Sequence, residues 1–462
     1  MPSATKPVES SPSLKRVLGL PSAVVFGLSY MLPLTVFTTL GIANVLTEGN
    51  LPSAYLVTLV AMVFTALSYG HMVKAFPISG SAYTFSRRAF GGHIGFLAGW
   101  ALLLDYLLLP MVTYLVIGIY LNAAFPAIPL WVFFVASLVL VTTLNIIGIR
   151  LLAGVNVGLL VFQFVFLGFF VFMSLGSIAG VDVPNFADVF FNDQGNLTVL
   201  LAGAALLCFS FLGFDAVSTL AEEAHEPRKT IPRAILIVTV FGGLLFIALA
   251  MISNLVFPDF TAYTSVDAAS LDVVAAAGGE FLVNFFTAAY VAGCVASVLA
   301  SQATVARILF AMGRDGVLPR RVFGKLHPRF RTPAGAILVV SGISLLGLAL
   351  GLEMISLLIS FGALVAFTMV NLSVIKHYVV DGRRRTPKAM LVYGLLPAIG
   401  VALTLWLWTS LSPNALMVGI GWVVVGFIYL LGLTHFFTKR PPELDMREVE
   451  PEESPEREPV AH

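Results

Sequence analysis

The sequence predicts an all-α polytopic membrane protein of twelve transmembrane helices, arranged as a five-plus-five inverted repeat in which helices 1 and 6 are broken. Three observations carry this expectation. Of 462 residues, 58% are hydrophobic and 11% charged, whereas soluble domains carry about 25% charged residues. Apolar runs of roughly 20 residues, the length that crosses a bilayer, recur along the chain. Two of those runs carry an interruption at mid-depth, Pro33 in the first and Gly213 beside Asp215 in the sixth.

The runs fall near 22–46, 53–75, 94–124, 130–148, 155–179, 197–220, 234–257, 277–303, 335–352, 354–379, 389–410 and 415–437. The first is as long as a full span and no small-x-small cleavage site follows it, so it reads as a retained helix. Residues 1–19 are polar and read as a cytoplasmic segment, residues 20–437 as the transporter domain, and the Pro- and Glu-rich residues 438–462 as a disordered cytoplasmic tail. Within the domain the expected repeats cover about 20–180 and 197–380, with extra helices over about 389–437. Cys208 and Cys294 both sit inside apolar runs and read as small packing residues, not as a disulfide.

Basic residues set the orientation. With the N-terminus in the cytoplasm, one set of loops holds Lys74, Arg87, Arg88, Arg150, Arg228, Lys229, Arg233, Arg314, Arg320, Arg321, Lys325, Arg329, Arg331, Arg383, Arg384, Arg385 and Lys388. The opposite loops hold no Lys or Arg, but Glu48, Asp182, Asp188, Asp193, Asp259, Asp267, Asp272 and Glu280. Both termini are therefore expected inside. The acidic outer face would concentrate a cation, or simply solvate its loops.

The interruptions locate the chemistry. Pro33 has no backbone donor and clashes with the preceding turn. Gly213 loosens its helix. A charge at the bilayer centre costs at least about 2.5–3.5 kcal/mol, so Asp215 is expected there for function. Interrupted helices at matching places in two halves point to a transporter's binding site, where freed carbonyls suit a cation. The two interrupted runs open sets of five spans, and five is odd, so the sets cross the membrane in opposite senses.

Three further blocks carry a resemblance. They are Phe76-Pro77-Ile78-Ser79-Gly80-Ser81-Ala82-Tyr83-Thr84-Phe85, Glu222-Glu223-Ala224-His225-Glu226-Pro227-Arg228-Lys229-Thr230-Ile231-Pro232-Arg233-Ala234, and Met312-Gly313-Arg314-Asp315-Gly316-Val317-Leu318-Pro319 with His327-Pro328-Arg329 and Thr332-Pro333 after it. At these spacings the chain, over about residues 15–437, resembles the amino acid–polyamine–organocation transporters. Within that family it looks most like bacterial members that import a diamine, in Leu104 to Met111, Cys208 to Asp215 and Phe361 to Phe367. The resemblance implies a LeuT-like inverted repeat, a mid-membrane site, alternating access and a bacterial cytoplasmic membrane. Many amino acid carriers of the family hold the substrate carboxylate on a glycine-serine-glycine turn in span one, where this chain has Pro33-Leu34-Thr35. Many also carry a lysine in span five, where this chain has Gln163. Losing an anion nest and a positive charge suits a substrate that has no carboxylate and is itself a cation.

The expected function is import of putrescine or a related diamine, coupled to protons; the alternatives are an amino acid permease, an amine or amino acid antiporter, and an amine sensor that transports nothing. Asp215 is the candidate ammonium partner, against an interhelical hydrogen bond. Asp105 is the candidate for the second ammonium or for the coupling proton, against helix packing. Glu222 and Glu223 are proton-carrier candidates as adjacent carboxylates, against surface charges paired with Arg228 or Arg233. Phe209 and Tyr30 are candidate cation–π faces, Thr35 and Ser210 candidate hydroxyl ligands, and Leu34 and Gly213 the backbone of the two breaks. The expected partners are a cationic amine, protons and the lipid bilayer, with no nucleic acid; oligomeric state stays open. No cofactor is implied. No metal-ligand spacing, Walker loop or nucleophile elbow supports an enzyme or an ATP-driven pump.

Overall fold

The computed structural model describes residues 18–78, 81–148, 153–179, 190, 196–439 and 441. The terminal segments expected at 1–19 and 438–462 lie almost wholly outside the described residues, as do Arg150, Asp182, Asp188 and Asp193. The fold is all-helical and polytopic. Among the described residues eleven helices are long and apolar enough to cross a membrane.

The first half runs α1 (Leu20–Met31), a 3-10 turn (Pro33–Phe37), α2 (Leu40–Leu46), α3 (Leu51–Ala75), α4 (Ala82–Phe90), α5 (Gly92–Ala124), α6 (Leu130–Ile147) and α7 (Ala153–Ile178). The second runs α8 (Leu197–Leu207), 3-10 turns at Cys208–Phe211 and Ala216–Glu222, α9 (Pro227–Val256), α10 (Ala269–Arg314), α11 (Ala334–Ser344) and α12 (Gly347–Val374). The last two spans end in α13 (Leu396–Thr409) and α14 (Pro413–Leu433). Each half thus opens on a helix that unwinds partway and continues with an unbroken one. The expected ninth crossing is the shorter α11, and the chain after it kinks within the first turns of α12 at Gly351, whose φ of 76° is left-handed.

α3 lies along α9, and α5 packs against α10 and α12, so the two halves are wound into each other. Small residues permit the closest approaches. At Gly362 on α12 an added Cβ would stand 2.7 Å from the Ala101 carbonyl oxygen and 3.3 Å from Asp105 N. α14 docks on α5 through a reciprocal pair: Trp100 Nε1 donates to Trp422 O at 3.0 Å and Trp422 Nε1 to Trp100 O at 2.8 Å.

A buried polar knot ties α6, α10 and α11. Gln302 accepts from Asn145 Nδ2 at 2.7 Å and donates to Ser341 Oγ at 2.8 Å, while Thr142 and Ser341 share a hydrogen bond at 2.7 Å. With no water in hydrocarbon to compete, such side-chain bonds hold spans together. The knot holds α10 steady, and α10 supplies one wall of the site. The outward faces carry apolar side chains, such as Phe172 and Met417, that suit hydrocarbon.

Candidate functional site

Both expected breaks are present, and they touch. α1 stops at Met31 because Leu32 turns to φ 55° and Pro33 follows. Thr35 N then donates to Leu32 O at 2.8 Å, a tighter turn than the α-helix makes. The carbonyl of Met31, left behind by that change, is taken up by the Thr35 hydroxyl at 2.9 Å.

In the second half α8 ends at Leu207, the chain tightens through Cys208–Phe211, and Leu212 is extended. Gly213 follows at φ 125°, a conformation that an L side chain resists. An added Cβ at Gly213 would stand 2.6 Å from Met31 N and 3.1 Å from Tyr30 C, so only glycine lets the two unwound stretches meet. Hydroxyls from neighbouring helices satisfy the carbonyls around the end of α8: Thr58 donates to Ala204 O at 2.9 Å and Ser360 to Leu206 O at 3.1 Å.

Beside this junction lies a cavity of about 190 Å³ between α1 and its break, α5, α7, α10 and the unwound stretch that follows α8. One water needs about 10–15 Å³, and drug-sized ligands occupy roughly 300–1,000 Å³, so the space suits a small molecule. Of the expected site residues, Tyr30, Thr35 and Phe209 line it. Leu34, Ser210, Gly213, Asp105 and Asp215 are not among its lining residues. Leu34 is buried, and Ser210 is buried with its hydroxyl 3.3 Å from Tyr55 OH.

The carboxylates form a second locus. Asp215 is half-buried and accepts the Gly213 N–H at 3.1 Å, so its side chain braces the break. Asp105 on α5 is 5% exposed, and its Oδ1 has no hydrogen-bond partner. The two carboxylates lie within electrostatic reach of each other, and Tyr30, Tyr69 and Tyr106 each feel both. Tyr30 therefore belongs to both loci. Glu222 and Glu223 are half-buried at the far end of the second 3-10 turn. There the Glu223 carbonyl accepts Leu18 N at 2.9 Å, which ties the start of α1 to the end of the sixth span.

One end of the cavity is sealed. Thr38 and Tyr290, both wall residues, hydrogen-bond to each other. Beyond them Phe37 meets Phe170 and Phe286 edge-on, each at 5.3 Å between centroids, and Tyr120 donates to Phe37 O at 2.9 Å. Farther along, Asn44 donates to Asn254 Oδ1 at 3.0 Å and to Tyr263 OH at 2.8 Å.

Sequence reasoning left the α10 wall out of the site: Tyr290, Gly293, Cys294, which was read as a packing residue, Ser297 and Ser301 line it. They sit at i, i+3, i+4, i+7 and i+11, one stripe of small and polar residues on a helix, which is the signal that finds them. Gln302, next to Ser301, turns instead into the polar knot described above.

A broken-helix pair enclosing a small, mostly neutral cavity inside a polytopic helical bundle defines a membrane carrier. The Amino acid permease family model matches residues 22–437, and the chain belongs to that family, whose members are transporters and not enzymes. It is 38% identical over 444 residues, 95% of this chain and 98% of the relative, to the low-affinity putrescine importer PlaP of Escherichia coli (strain K12). It is 28% identical over 439 residues to the branched-chain amino acid permease BcaP of Bacillus subtilis (strain 168), covering 90% of this chain and 92% of that one. It is also 26% identical over 460 residues to the methylthioribose transporter of the same organism, covering 92% of this chain and 96% of that one.

Proposed function

We propose that this chain imports putrescine or a related diamine by alternating access, coupled to protons, in a bacterial cytoplasmic membrane with both termini inside. The likeness to a putrescine importer over nearly the whole chain supports this reading. The observation that carries the cationic substrate is electrostatic. Among the described residues the cavity wall has no Lys or Arg, while Asp215 braces the break beside it and Asp105 is buried on the neighbouring α5.

The break also offers a carboxylate fewer donors than an intact turn of amides would. Pro33 has no N–H, and the N–H of Thr35 is already spent on Leu32 O. The C-terminal end of α1, the negative pole of a helix, stops at the cavity instead. One ammonium is drawn toward Asp215 and the carbonyls at the end of α1, with the face of Phe209 beside it. Asp105, more deeply buried and short of a partner, is the proton carrier. Leu34 and Gly213 shape the backbone, Ser210 holds α8 to α3, and Glu222 and Glu223 serve the inner end. The repeats span about 20–180 and 197–380, with the helices of about 389–437 outside them.

Uptake by the purified chain in proteoliposomes under an inward proton gradient tests this. Accumulation of labelled putrescine, displaced by other diamines and not by amino acids, is expected. Displacement by branched-chain amino acids in preference to diamines would replace the reading with an amino acid permease. Binding without accumulation would make it a sensor.

A further inference from the structure

Gln163 on α7 is 3% exposed and lines the cavity, and its Oε1 has no hydrogen-bond partner. A close fit sets its amide: an added Cβ at Gly293 on α10 would stand 2.6 Å from Gln163 Nε2, and 3.5 Å from Leu32 Cδ1 at the end of α1. Glycine at 293 thus lets the amide lie against α10 beside the first break. The polar groups around it are otherwise hydroxyls and one thiol, Cys294, and several are committed. Thr35 donates to Met31 O, Thr113 to Leu109 O, and Thr38 and Tyr290 bond each other.

A primary amide offers two acceptor lone pairs and two donors, and turning it end for end changes its shape little. A buried acceptor with no partner is costly; Gln163 Oε1 is itself covered, and a turn of the side chain within the cavity wall would present it to a donor that a ligand brings. The group best matched to a neutral carbonyl oxygen, in a wall that holds no Lys or Arg among the described residues, is an ammonium.

We propose that Gln163 is a specificity-determining residue whose amide oxygen accepts a hydrogen bond from the second ammonium of the diamine, so that the cavity favours an amine with two cationic ends over one with a single end. This rests on the diamine reading above. It places the two ends differently: one toward the carboxylates, the other on the α7 wall. A neutral ligand suits the second end, because full neutralisation of both ammoniums by buried carboxylates would hold the substrate too tightly to release.

The test uses the full chain in proteoliposomes and compares putrescine with n-butylamine, which has the same carbon chain and a single ammonium, as competitors of labelled putrescine. Gln163→Leu should weaken putrescine about tenfold, the order of one charge-assisted hydrogen bond, while moving n-butylamine less than about twofold. Gln163→Glu, nearly the same shape, should keep the preference for putrescine, and Gln163→Lys should abolish competition by either amine. Equal weakening of both amines in Gln163→Leu, or no change in either, would overturn the proposal while leaving the diamine reading intact. If Gln163→Leu does not fold, loss of the preference in a folded Gln163→Glu would overturn it equally. A wild-type chain that takes up no amine would defeat the diamine reading itself.

Discussion

Gly213 stands against the backbone of Met31, where the Cβ of any other residue would come within 2.6 Å of Met31 N. The unwound parts of the first and sixth spans are therefore one junction, and the carrier's geometry depends on a hydrogen atom where every other amino acid has carbon. Gly213 is also at φ 125°.

Gly213→Ala should accordingly impair the carrier twice, through backbone strain of about 1–3 kcal/mol and by forcing the two stretches apart. Putrescine uptake should fall by at least tenfold, and the thermal midpoint of the purified chain should drop. A variant with unchanged uptake and midpoint would show that the junction does not need this closeness.

Cys294 lines the cavity, whereas Cys208 is fully buried at the end of α8. A small thiol reagent should modify Cys294 slowly and Cys208 hardly at all, and saturating putrescine should slow the Cys294 reaction several-fold. Mass spectrometry of the labelled chain reads both sites. Labelling of Cys294 that putrescine leaves untouched would place the substrate elsewhere.

The seal beyond the cavity depends on Tyr120, which donates to Phe37 O and pairs with Ser270. Tyr120→Phe removes those bonds and should favour the conformation open on the α2 side by about 1 kcal/mol, roughly a fivefold shift in population. Accessibility of single cysteines placed along α2 should rise by that order. No rise would mean that the seal is held by the aromatic contacts alone.

Asp105→Asn should uncouple the carrier if Asp105 moves the proton. Accumulation of putrescine driven by a pH gradient should be lost, while exchange of labelled for unlabelled putrescine should persist within a fewfold of wild type. Loss of both activities in a folded variant would assign Asp105 to binding or to packing.

The breaks were legible in the sequence because proline, glycine and a buried carboxylate are chemically conspicuous in an apolar run. Pro33, Gly213 and Asp215 marked them, and the structure unwinds at Leu32 and at Leu212 to Gly213. The α10 wall was harder to read. A span that is apolar all round has little amphipathic contrast, so Tyr290, Gly293, Cys294, Ser297 and Ser301 emerge as one face only when their spacing is checked. Depth in the membrane can be read from position along a run, but facing cannot. Asp105 and Asp215 were read from their places in the runs, yet neither is among the cavity's lining residues. The ninth crossing was drawn as one run because leucines continue past Ser344, and the bend at Gly351 is a single left-handed residue inside it.

Charge at Asp215 is the core of the account, and Asp215→Asn tests it with almost no change in shape. In proteoliposomes under an inward proton gradient, wild type should accumulate labelled putrescine and the equally well-folded Asp215→Asn chain should not. Accumulation by Asp215→Asn at the wild-type rate and with the wild-type affinity would contradict the claim that this carboxylate draws the cationic substrate to the junction of the two broken helices.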